Sequence, residues 1–86
     1  MNSKLIEQIT ETLIAEIKTG RIDIDQMLPS ERELSIRFKT SRPSIREALT
    51  ELQKRGYVKL RANHRPRADL PSVEKIINLS MIQIRD

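Results

Sequence analysis

Residues 41–55, SRPSIREALTELQKR, decide how this chain is read. Ile45, Ala48, Leu49 and Leu52 fall at i, i+3, i+4 and i+7, so a helix gathers them on one apolar stripe. Arg42 and Arg46 are four apart and stack on one side of that helix. Ser41 and Ser44 stand at its start, where a short hydroxyl can cap orphan backbone N–H groups. Pro43 is acceptable only in a first turn, because it has no N–H to donate. One face is made for a core, and the other offers Ser41, Arg42, Ser44, Arg46, Thr50 and Lys54. A helix laid in the major groove of DNA needs that division. An ordinary amphipathic helix with a solvated charged face has it too. Taken alone, the stretch leaves both readings standing.

Just upstream, residues 28–34 read LPSEREL. Ser30 followed three residues later by Glu33 is a capping box, so a second helix starts here and runs to about Phe38, with Leu34 and Phe38 turned inward. Arg32 lies in its first turn, facing outward. A cation there opposes the helix dipole, which argues against a purely structural role and leaves a salt bridge to a nearby carboxylate as the other account. Lys39-Thr40-Ser41 joins the two helices. Two helices so closely joined, the second cationic, make a helix-turn-helix.

Downstream, Gly56 ends the long helix. Tyr57, Val58 and Leu60 suit a strand, Asn63-His64 a hairpin turn, and residues 65–70 a returning strand. The hairpin would pack beside the helix pair as a wing and carry Arg61, Arg65 and Arg67 near its tip. Pro66 restricts the return strand to an edge. His64 has no second His and no Cys to share a metal with, so it reads as a solvated turn residue or a phosphate or minor-groove contact. Tyr57 reads as a core or strand aromatic, since one aromatic makes no single-strand stacking surface.

Residues 4–19 form a first helix, with Leu5, Ile9, Leu13 and Ile17 every four residues, Ile6 and Ile14 widening the stripe, and Gly20 as its stop. Its polar face carries Glu7, Glu11 and Glu16, a poor surface for DNA. In residues 21–28, Ile22 and Ile24 alternate as in a very short edge strand. Residues 68–71 read as an exit linker. Ser72 then caps a last apolar segment with Val73, Ile76, Ile77 and Ile84 near helical spacing, expected to open a second domain or to form a dimer contact. The division is therefore 1–70, a mainly helical three-helix domain with a small β-hairpin, and 71–86, a linker and the start of a truncated C-terminal domain.

The 86 residues carry a net charge of +4, and its placement says more than its size. Residues 1–33 hold four Lys/Arg and seven Asp/Glu, a sum of −3, whereas residues 34–67 hold ten Lys/Arg against Glu47 and Glu51, a sum of +8. A basic stretch of this kind steers polyanions and displaces counterions from a phosphate backbone. Anionic lipid is a rival partner, but the stretch lacks the aromatic-rich apolar face of an interfacial helix. No cysteine is present, which excludes a disulfide framework and thiolate metal sites and fits a reducing compartment. No apolar run approaches the roughly 18 residues of a membrane span. The first residues lack the charged-then-apolar pattern of a secretory signal.

Taken together, Gly20, then LPSEREL at 28–34, then SRPSIREAL at 41–49, then Leu52 and Gly56-Tyr57-Val58 resemble the GntR family of bacterial transcription factors over roughly residues 5–70. The resemblance implies a winged helix-turn-helix that binds a double-stranded DNA operator of two-fold symmetry as a homodimer. It implies a cytoplasmic, nucleoid-associated regulator, such as a repressor, with no cofactor. It implies that Arg32, Arg42 and Arg46 make the main DNA contacts and that the wing tip enters the minor groove. Three departures stand out. Ile24-Asp25 replace a usual Pro-Gly pair, Lys39 stands where a Gly is frequent and must adopt an uncommon backbone conformation, and the wing is rich in Arg and Pro instead of Gly. Family members carry a larger C-terminal effector domain, so small-molecule sensing is expected in a part this chain lacks. The apparent helix after the wing is similar to the all-helical FadR branch rather than the sheet-based HutC branch.

Two classes of function follow. The first is sequence-specific DNA reading by Arg32, Ser41, Arg42, Ser44, Arg46 and Thr50, with Arg61, His64, Arg65 and Arg67 from the wing. The second is a non-specific nucleic-acid-binding or protein-interaction module, motivated by the unusual wing and the apolar tail. An enzyme is not expected: there is no nucleophile–base constellation, Gly-rich phosphate loop or metal cluster, and Ser30 and Ser41 are explained as caps.

Overall fold

A computed structural model describes residues 3–61 and 64–74. The elements run α1 (Ser3–Lys18), α2 (Glu31–Phe38), α3 (Arg42–Lys54), β1 (Val58–Lys59) and β2 (Arg67–Ala68). Each helix begins and ends for a local reason. At α2 the Glu33 N–H donates to Ser30 Oγ at 3.0 Å and the Ser30 N–H donates to the Glu33 carboxylate at 3.1 Å, which completes the capping box. Those Ser30 hydrogen bonds hold the Glu33 carboxyl below the usual carboxylate range. At α3, Ser41 Oγ accepts from the Ser44 N–H at 3.3 Å, and Pro43 lies in the first turn where no donor is needed.

The two helices end in the same way. Past α3, Gly56 has φ 88°, its N–H reaches the Gln53 carbonyl at 3.0 Å, and the Tyr57 N–H reaches the Leu52 carbonyl at 2.9 Å. Past α2, Lys39 has φ 54°, its N–H reaches the Ile36 carbonyl, and the Thr40 N–H reaches the Ser35 carbonyl at 3.0 Å. Both are Schellman ends, and Lys39 takes the left-handed conformation that glycine takes at the other. The uncommon backbone expected of Lys39 is present. Asp25 also has a positive φ, of 72°.

The core is the meeting of the apolar stripes. Ile9 and Leu13 of α1, Leu34 of α2, and Ile45, Ala48 and Leu52 of α3 are completely buried, with Tyr57, Val58 and Ala68 closing it from the hairpin. Leu5, Ile6 and Phe38 pack on its rim. Isoleucine and leucine supply most of this interior, as a chain with one Phe and no Trp requires.

Two expectations are corrected. Residues 21–28 are not a strand with Ile22 and Ile24 on one face: Ile22 is buried and Ile24 is exposed. A turn intervenes, closed by the Gln26 N–H on the Asp23 carbonyl at 2.9 Å, and only Met27 bridges, antiparallel to Arg67. Nor does Pro66 put the return strand at an edge. On one side β2 pairs antiparallel with β1, Val58 opposite Ala68 and Lys59 opposite Arg67. Its other side is laced to residues 25–28, by Asp25 N–H to Ala68 O at 2.8 Å, Ala68 N–H to Gln26 O at 2.9 Å and Leu28 N–H to Pro66 O at 2.9 Å. Pro66 is tolerated because it contributes its carbonyl, which needs no proline N–H. The exit is also fixed. Pro71 lies so close to Gly56 that a Cβ there would come 3.3 Å from Pro71 Cα, and Lys18 pairs with Glu74 at 3.2 Å. Residues 72–74 are helical; the rest of the expected terminal segment, and Asn63 of the expected wing turn, lie outside the described residues.

Candidate nucleic-acid interface

Because α3 buries Ile45, Ala48, Leu49 and Leu52, it turns Ser41, Arg42, Arg46 and Thr50 outward, all exposed. Arg42 is the first residue of α3 and Arg32 the second of α2, so both guanidinium groups leave from helix starts. Neither forms an ion pair among the described residues. Ser41 and Ser44 hold each other, Oγ to Oγ at 3.0 Å. Thr50 donates its hydroxyl to the Arg46 carbonyl at 2.9 Å.

Arg46 differs from its neighbours. Its Nε donates to both carboxylate oxygens of Glu31, at 3.0 and 3.1 Å. This carboxylate, next to Arg32 in the chain, therefore serves Arg46 on the next helix. This pair was not legible in the sequence, since 15 residues separate its members and only the angle between α2 and α3 brings them together.

The wing sorts its cations into two kinds. At the tip, the His64 N–H meets the Arg61 carbonyl at 3.1 Å, and both side chains are exposed. Arg65 instead donates to the Leu28 carbonyl at 2.7 Å and lies 3.8 Å from Glu33. Arg67 is in β2, not near the tip, and donates to the Asp25 carbonyl at 2.7 Å. Asp25 also binds Lys59 at 2.7 Å, and that hydrogen bond and charge hold the Asp25 carboxyl below its usual range. Asp25 as an organiser of wing cations was also missed, for its partners lie 34 and 42 residues away.

A cleft of about 480 Å³ brings these parts together: Arg32 from α2, Arg42 from α3, and His64 and Arg65 from the wing line it. Thr50 lies apart, with Arg46 and Lys54, in a groove of about 460 Å³ beside the start of α1. The side facing α1 is different in kind. Arg37 is gripped by Glu16, and Arg55 by Glu11 at 2.8 Å and Glu51 at 3.0 Å. Among the described residues no group of three or more His, Cys, Asp or Glu side chains is placed to hold a metal ion. No helix among them is long and apolar enough to cross a membrane.

A family model for bacterial regulatory proteins of the gntR family matches residues 5–65. This chain belongs to the GntR family. The HTH-type transcriptional repressor NanR of Klebsiella aerogenes is 41% identical over 75 residues, covering 87% of this chain and 29% of that relative. NanR of Salmonella newport is 40% identical over the same length, with the same coverage. The GntR-family chain thus spans less than a third of these curated relatives. Among solved structures, the DNA-binding domain of AraR in complex with an operator superposes with a TM-score of 0.70 at 30% identity, over 74% of this chain and 77% of that one. YtrA of Sulfolobus acidocaldarius, a GntR-family transcription factor, reaches 0.73 at 18% identity over 98% of this chain and 88% of that one, a likeness of fold. The family is one of regulators, not enzymes, and its winged helix-turn-helix is the fold seen here.

Proposed function

We propose that this GntR-family domain binds double-stranded DNA sequence-specifically, as the reading head of a bacterial transcriptional repressor that meets a two-fold operator as a homodimer. The observation that carries the reading is the cleft in which Arg32, Arg42, His64 and Arg65 converge from two helix starts and the wing. The start of a recognition helix is where base edges are met in the major groove. Arginine binds guanine O6 and N7 in a bidentate pair, and the methyl of the exposed Thr50 suits a thymine methyl. Ser41 and Ser44 at the α3 start suit a phosphate, as do Arg61 and His64 at the wing tip. Arg65 and Arg67, held by backbone carbonyls, shape the wing first and meet the backbone second. The AraR domain bound to an operator supports the same use of the same fold. In this reading residues 71–86 lead into the effector and dimerisation part of the protein, where a small-molecule effector acts.

The test is selection of bound duplexes from a random pool at two salt concentrations. Enrichment of a two-fold motif that persists at the higher salt is the expected result, because base contacts survive where counterion release fades. Binding that collapses with salt and enriches no motif would leave only backbone contact and defeat the proposal.

A further inference from the structure

Glu31 of α2 holds Arg46 of α3 across the two helices. A guanidinium has five N–H donors in a fixed planar fork. Here the Nε–H is spent on Glu31, at 3.0 and 3.1 Å to its two oxygens. Among the described residues nothing takes the four N–H donors of the two terminal amino groups. The edge left open is the one that can fork onto guanine O6 and N7. Glu31 itself is well anchored, as the first residue of α2, where the helix dipole favours a carboxylate. The Nε contact therefore restricts the Arg46 side chain before DNA arrives, whereas Arg42, in the same helix, has no ion pair among the described residues to do so. A preset side chain loses less rotamer freedom when it docks.

We propose that Glu31 is a positioning residue for DNA reading, presenting the open edge of Arg46 to one base; this rests on the DNA-binding reading above. Its charge makes the role separable from general affinity. A carboxylate at a face that meets phosphates repels them, so Glu31 opposes binding to any DNA while sharpening the choice among sequences. Removing it moves those two quantities in opposite directions.

The experiment compares wild type, Glu31→Gln, Glu31→Ala and Arg46→Ala on the selected operator, on the operator changed one base pair at a time, and on a random-sequence duplex. In Glu31→Ala, random-sequence affinity should hold or rise. Discrimination at the base pair to which Arg46→Ala becomes indifferent should fall roughly tenfold, with other positions kept. Glu31→Gln, which still offers one acceptor to Arg46 Nε, should fall between. Adding Glu31→Ala to Arg46→Ala should change discrimination no further. Undiminished discrimination in Glu31→Ala overturns the inference. So does an equal loss at every position, the mark of a loosened fold, or a loss at a base pair that Arg46→Ala leaves intact, the mark of Glu31 touching a base itself. A wild-type chain with no base preference at all overturns the DNA-reading proposal, and this inference with it.

Discussion

Four arginines divide into two pairs. Arg37, in the last turn of α2, and Arg55, which caps α3, sit at helix C-termini, and acidic residues of α1 meet them both. Arg32 and Arg42 sit in the first turns of the same two helices, line one cleft, and have no ion pair among the described residues. The helix dipole favours the first pair and opposes the second. Among the described residues, the fold thus stabilises two of these four cations twice over and leaves the other two uncompensated. A residue kept at a place where local physics disfavours it points to an external partner. The charge excess of residues 34–67 is divided in the same way. It is not a uniform coat, because the acidic face of α1 neutralises the part nearest to it.

The largest expected effect is on the uncompensated side. Arg42→Ala should cost about 1–3 kcal/mol of discrimination at one base pair, measured by competition between operator variants. Its thermal midpoint should stay close to that of wild type, since truncating it removes no ion pair seen among the described residues. A large drop in stability would erase the distinction between the pairs. Next comes Arg67→Ala. Its bond to the Asp25 carbonyl ties β2 to the chain before α2, and a hydrogen bond of this kind contributes on the order of 1 kcal/mol. Thermal melting should register that loss.

On the compensated side, Arg37→Ala should lower stability by about 0.2–1 kcal/mol, the range of exposed pairs, and leave base discrimination alone. The same contact predicts a pH dependence. The Arg37 hydrogen bond holds the Glu16 carboxyl below its usual range. A group whose pKa is depressed on folding stabilises fully above its unfolded pKa and stops doing so as pH falls through the folded one. Wild type should therefore exceed Arg37→Ala in stability at neutral pH, and the gap should close as pH drops below roughly 4. A gap that persists in acid would assign the stabilisation to packing of Arg37 over the Phe38 ring, 4.8 Å away, in place of charge. The smallest effect belongs to Arg61→Ala, which should reduce the salt dependence of DNA binding by about one unit of slope.

Much of this was legible because it is local. The capping box at Ser30 and Glu33, the stripe from Ile45 to Leu52, and the stop at Gly56 each involve residues within a turn or two of one another. Lys39 was legible only by resemblance: nothing in its own chemistry announces φ 54°, but a glycine expected at that place does. The failures share a cause. Ile22 and Ile24 alternate as a strand would, yet the turn at Asp23–Gln26 separates them, and turn geometry overrides a two-residue pattern. Pro66 reads as an edge residue when its missing donor is counted and its carbonyl is not. Glu31 satisfies the dipole at the start of α2, while its grip on Arg46 depends on the crossing of two helices that no spacing encodes.

The lacing of β2 to residues 25–28 has a mechanical consequence. Those residues run directly into Pro29, Ser30 and α2, so the wing and the helix pair share one continuous hydrogen-bonded frame. The span from the start of α3 to β2 is then a fixed gauge. In the proposed DNA-binding role, a duplex must already have, or be bent into, the groove width that the gauge sets. Sequences differ in how readily they comply. Base pairs that no side chain touches would thereby still be selected, by their stiffness, and loosening the frame at Arg67 should blunt that selection before it blunts any contact.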